Sequence, residues 1–115
     1  YVKCLQEIIK TIPVKGIAHI TGGGFYDNIP RVLPPCTDAV IKAGSWNIPR
    51  LFKEIQTRAN LDITEMFNTF NMGIGMIFVS PPEYTDKALD ICKSFRYKAR
   101  VIGKVEKGTG KVTVT

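Results

Sequence analysis

His19-Ile20-Thr21-Gly22-Gly23-Gly24-Phe25-Tyr26-Asp27-Asn28-Ile29-Pro30-Arg31 changes character twice along its length. The apolar run Gly16 to Ile20 leads into it like a short strand, and the stretch ending at Arg31 leads out like a short helix. Between them, three glycines let the backbone take positive φ and come close to a ligand, where any Cβ would obstruct it. Strand end, glycine turn and helix start together present bare N–H groups, an arrangement that favours anions and phosphate above all. Gly22-Gly23-Gly24 is neither the six-residue dinucleotide fingerprint nor a P-loop, since no Gly-Lys-Ser or Gly-Lys-Thr follows. Three glycines alone are more often a flexible turn. The companions strengthen the phosphate reading: Thr21 offers a hydroxyl, Asn28 an amide and Arg31 a planar cation. His19, the only histidine, precedes the turn by two residues and reads either as a strand-end structural group or as a functional one.

Working outward, Val2, Leu5, Ile9 and Ile12 recur at helical spacing ahead of Pro13, so the first twelve residues read as an amphipathic helix packed on a sheet. Downstream, Leu33-Pro34-Pro35 is a stop and Ala39-Val40-Ile41 a short strand. Asn47 is the expected N-cap of a helix whose inner face is Ile48, Leu51, Phe52, Ile55 and Ala59, with Trp46 stapled onto Leu51. Asp62-Ile63-Thr64-Glu65 reads as a capping box, which explains both carboxylates better than an acid/base pair does. After the break at Asn71-Met72-Gly73, Ile74 to Val79 is apolar throughout, as in a strand covered on both faces, with Met72 and Met76 as core filling. Ser80-Pro81-Pro82-Glu83 reads as the cap of a last helix through Phe95. Ala99 to Val105 and Lys111 to Thr115 read as a hairpin around Lys107-Gly108-Thr109-Gly110. Four or five strands with as many helices predict an α+β sandwich with a mixed sheet, in which Gly22 to Gly24 and Asn71 to Gly75 share one rim.

A chain of 115 residues forms one domain, 1–115. Its net charge of +6 is spread along the sequence, apart from Lys93, Arg96, Lys98 and Arg100 interleaved with Phe95 and Tyr97. Such a cluster is ordinarily a solvated helix end, so no nucleic-acid partner is expected. No apolar run approaches the roughly 18 residues that span a bilayer, and no secretory signal precedes the first helix, so no membrane partner is expected either. Cys4, Cys36 and Cys92 are odd in number and widely spaced, which argues against a zinc site or a disulfide framework and for a reducing, cytoplasmic setting. Because the chain starts at Tyr1, already in helix, it is expected to be a piece of a longer polypeptide.

Three stretches carry a family resemblance. Gly16 to Pro34, Glu65 to Met76, and Gly44-Ser45-Trp46 followed by Ile48-Pro49 and Leu51-Phe52 together resemble the phosphoribosylformylglycinamidine cyclo-ligase (aminoimidazole ribonucleotide synthetase) family, and only its C-terminal domain. The resemblance implies an ATP-dependent ligase of purine biosynthesis that closes the imidazole ring of formylglycinamidine ribonucleotide, giving aminoimidazole ribonucleotide, ADP and phosphate. It implies that ATP and Mg2+ are bound mainly by an N-terminal domain outside this chain, that these 115 residues alone are inactive, and that the whole enzyme is a homodimer. By position it assigns Thr21, Gly22, Gly23, Gly24, Asn28 and Arg31 to the ribonucleotide, Asn71, Met72 and Gly73 to the opposing rim, and His19 to catalysis, with no metal ligand. The alternative of a different class is a non-catalytic module that binds a phosphosugar or nucleotide.

Overall fold

The computed structural model describes every residue from Tyr1 to Thr115. Five helices and five strands give the α+β class expected. Helix α1 (Val2–Thr11) is followed by strand β1 (Gly16–His19), the glycine turn and the short helix α2 (Gly24–Asn28), which continues through Ile29 into a 3-10 turn, Pro30–Val32. Strand β2 (Thr37–Ile41), helices α3 (Arg50–Ala59) and α4 (Ile63–Thr69), strand β3 (Met76–Val79), helix α5 (Thr85–Ser94) and strands β4 (Gly103–Lys107) and β5 (Val112–Val114) complete the chain.

The strands form two sheets rather than one. In the first, β1 pairs antiparallel with β3, Gly16 opposite Val79 and His19 opposite Met76. In the second the order is β4-β2-β5, antiparallel on one side of β2 and parallel on the other. The expected terminal hairpin therefore does not form, because β2 lies between its two arms. What holds the connection across the end of β2 is Asp38, whose Oδ1 accepts from the backbone N–H groups of Thr109, Gly110 and Lys111 at 2.8, 3.0 and 2.8 Å. Gly108 gives that carboxylate room, since a Cβ there would run into Asp38.

Alternation along β1 and β3 feeds two cores on opposite faces of their sheet. Ala18, Ile20 and Ile77 pack with Phe25, Trp46, Phe67 and Met72, while Phe78 packs with Ile8, Ile12, Ala88 and Cys92 from α1 and α5. Helices α1 and α5 thus cover one face and α2 to α4 the other.

Several local expectations hold and others shift. The capping box closes as read, Glu65 N–H donating to Asp62 Oδ1 at 2.8 Å and Asp62 N–H to Glu65 Oε2 at 3.1 Å. Asn47 does not cap α3, whose N-cap is Pro49. Leu51 is 62% exposed and receives no staple from Trp46, and Ala59 is exposed too. Trp46 turns inward instead, stacked on Phe25 and edge-on to Phe67, with its Nε1–H donating to the Met72 carbonyl at 3.0 Å. That buried bond outweighs the local staple because it satisfies two polar groups in the core. Ser80 precedes a 3-10 turn, Pro82–Tyr84, so the helix proper starts at Thr85 with Tyr84 as its N-cap. Strand β3 is half-buried throughout rather than fully covered.

Candidate functional site

Antiparallel pairing of β1 with β3 brings the end of one to the start of the other, so the glycine turn and the Asn71–Ile74 turn share one rim. Ile20 N–H donates to the Gly75 carbonyl at 2.9 Å, tying the two directly.

The glycine turn is built by unequal contributions. Gly23 (φ +90°) and Gly24 (φ +58°) occupy the left-handed region that only glycine enters without strain. Gly24 is buried, and a Cβ there would strike the Phe67 carbonyl oxygen of α4. Its N–H donates to the Thr21 carbonyl at 3.0 Å. Gly24 therefore fixes the turn to the core and offers nothing to solvent. Gly22 is exposed, has no positive φ, and a Cβ there would meet nothing within 4 Å. Nothing inside this chain requires glycine at that position.

Asn28, 7% exposed, is consumed by the turn itself. Its Nδ2 donates to the carbonyls of Gly24, Gly22 and Thr21 at 2.7, 3.3 and 3.4 Å, and its Oδ1 accepts from Thr21 Oγ1 at 3.4 Å. The N–H groups of Thr21, Gly22 and Gly23 have no partner within the chain. Thr21 and Gly22 are exposed and Gly23 half-buried. Asn28 is thus a positioning residue for donors that a ligand can reach.

His19 is exposed at the end of β1, alternating with Ala18 and Ile20, which face the core. Arg31 is also exposed but is not brought to this rim. The helical run from Gly24 carries it back along β1 by roughly 11 Å at helical rise, and the Val32 carbonyl lies against Gly16, at the start of the strand. The backbone of Arg31 thus lies toward the start of β1, while the turn amides lie at its end. Across the rim, Asn71 Oδ1 accepts from Gly73 N–H at 2.9 Å, and Gly73 (φ +92°) sits against Pro49. The Met72 side chain, 1% exposed, belongs to the core, and its carbonyl is taken by Trp46. It presents no side chain to the rim.

One group went unread in the sequence. The Asp27 side chain folds back over Gly23, its Oδ2 lying where a Gly23 Cβ would be. It is exposed and forms no ion pair or hydrogen bond through its carboxylate. An acidic residue in the first turn of a helix is ordinarily there for the helix dipole, so its spacing gave no separate signal.

The family model described as AIR synthase related protein, C-terminal domain, matches residues 1–115. A protein of Chromobacterium violaceum named phosphoribosylformylglycinamidine cyclo-ligase is 48% identical over 110 residues, covering 96% of this chain and 32% of the relative. Proteins of the same name from Caldicellulosiruptor saccharolyticus and Thermoanaerobacter pseudethanolicus are 46% and 47% identical, over 99% and 97% of this chain and 33% of each relative. The chain spans about a third of the length of these relatives.

Proposed function

Since the chain belongs to the AIR synthase related C-terminal domain family, we propose that it supplies the ribonucleotide-binding part of an ATP-dependent cyclo-ligase, one that closes the imidazole ring of formylglycinamidine ribonucleotide in purine biosynthesis. The observation that carries this reading is the three successive N–H groups of Thr21, Gly22 and Gly23 left without a partner in a turn held by Asn28. Backbone donors of this kind bind a phosphate monoester well, because hydrogen bonds to an ionised acceptor are about twice as strong as neutral ones.

In this reading the turn holds the sugar phosphate, and Arg31, at the far end of the helical run, serves a different part of the nucleotide or of the companion domain. The exposed His19 imidazole donates to, or exchanges a proton with, the reacting end of the substrate. Asn71 and Gly73 bound the rim from the other side. Magnesium and ATP are assigned, as the family resemblance implies, to polypeptide outside these residues, and no step is routed through them. The chain alone is expected to show no ATP turnover.

Titrating the 115-residue chain with D-ribose 5-phosphate, while 1H–15N shifts are followed, tests the assignment. The expected result is saturable movement of the Thr21, Gly22 and Gly23 amides. Saturable movement confined to other residues, or none, overturns it.

A further inference from the structure

A cavity of about 540 Å3 lies between the two sheets. Its side walls are two open strand edges, β3 on one side and Gly103 to Val105 of β4 on the other. Ile8 and Ala88 of the α1/α5 layer close one face, and Ile29 and Leu33 close the other.

Both edges aim unpaired peptide groups into this slot. Ile20 pairs with Gly75, so by antiparallel alternation Ile77 and Val79 bond to β1, and Met76 and Phe78 point their N–H and C=O away from it. Lys42 N–H donates to the Ile102 carbonyl, so Lys104 and Glu106 bond to β2, and Gly103 and Val105 point outward. A strand residue occupies a prism of about 4.8 Å between strands, about 10 Å between layers and about 3.3 Å along the chain, roughly 160 Å3, so the slot has room for about three to four residues. That length matches the four-residue β3 facing it.

We propose that the slot receives an extended, apolar strand from the polypeptide that precedes this domain, pairing with β3 on one edge and β4 on the other and merging the two sheets into one. The relatives are about three times as long as this chain, and the matching family is that of a C-terminal domain. Tyr1 lines the same cavity, its hydroxyl against Gly75 and its ring stacked on Tyr97, so a segment joined ahead of Tyr1 is delivered at the mouth of the slot. Layers on both faces require apolar side chains in both directions, and the flanking edges supply the backbone partners. This inference does not depend on what the glycine turn binds.

Amide hydrogen exchange tests it, comparing the chain alone with the chain joined to, or mixed with, the part of the Chromobacterium violaceum relative outside the matched segment. Exchange at Met76, Phe78, Gly103 and Val105 is expected to slow by about 100-fold or more with the added polypeptide, while Ile77 and Lys104 are already protected without it. A Val105→Pro variant removes only a slot-facing N–H, so the chain alone should keep its protection at Lys104 while the added polypeptide no longer protects Gly103. Four fast amides that stay fast with the added polypeptide overturn the proposal. So does protection already present in the chain alone, whether independent of concentration, which means the edges close on each other, or rising with it, which means a second copy fills the slot.

Discussion

Two glycine-bearing turns of this molecule each carry three successive backbone N–H groups, and they are completed differently. At Thr109, Gly110 and Lys111 the three donors close on one oxygen of Asp38, a residue of the adjoining strand β2 that is distant in sequence. Those bonds, from Lys111 and Thr109 first, hold the Asp38 carboxyl below its ordinary range. At Thr21, Gly22 and Gly23 a buried amide, Asn28, takes the carbonyl side of the turn and leaves the donor side open. The first turn shows what such a backbone does once it has an anion. The second leaves its donors without a partner from within, and the nearby Asp27 carboxylate does not bond to them. Where the internal partner sits, on the acceptors or on the donors, decides whether a glycine turn is scaffold or site.

The contrast can be broken most severely at Gly24. Alanine there would have to hold φ +58° and would press on the Phe67 carbonyl. Strain and overpacking together should cost about 3 kcal/mol in urea unfolding. An unchanged midpoint would mean that the open turn is not anchored through α4.

Acid should separate the two turns next. A carboxyl whose folded pKa is depressed stabilises the fold at pH above its unfolded value, and that contribution is lost as pH falls through the folded value. Below the usual carboxylate range of about 4, the Thr109, Gly110 and Lys111 amides should shift and lose protection together as Asp38 protonates. The Thr21 to Gly23 amides should not follow that titration in pH-dependent 1H–15N spectra.

Asp27→Asn is a gentler change. It should cost the fold only a few tenths of a kcal/mol from the helix dipole. Removing a negative charge near the donors should raise affinity for D-ribose 5-phosphate severalfold, since a unit charge a few Å away in water is worth about 1 kcal/mol. Equal affinities in calorimetry would show that Asp27 does not share the space the phosphate enters.

What was legible in the sequence follows the same division between local and distant causes. The capping box at Asp62 and Glu65, the strand-turn-helix order around the glycines and the break at Asn71 depend on neighbours a few residues apart, and each stands in the structure. The terminal hairpin failed because β2 comes from far away in the chain to lie between its arms, and local turn chemistry carries no trace of that insertion. Asn28 and Arg31 could be named as polar companions of the turn, but not oriented. One turns inward because the carbonyls of its own turn need a donor, and the other is carried off by the length of the helical run. Asp27 stayed hidden behind a commonplace helix-start role.

Gly22 gives the smallest effect on the fold and the sharpest reading of the open turn. Gly23 and Gly24 are explained by their φ and Gly24 also by its contact with α4, whereas at Gly22 neither backbone angle nor neighbour calls for glycine. Gly22→Ala should therefore leave stability within about 0.5 kcal/mol of the parent chain. A methyl group on the exposed side of the turn would stand where a phosphate must approach the N–H groups, so D-ribose 5-phosphate binding should fall by about tenfold or more, which is about 1.4 kcal/mol. Loss of stability would mean that the turn needs this glycine for its own sake. Full stability with full binding would remove the close approach of ligand to backbone on which the contrast between the two turns rests.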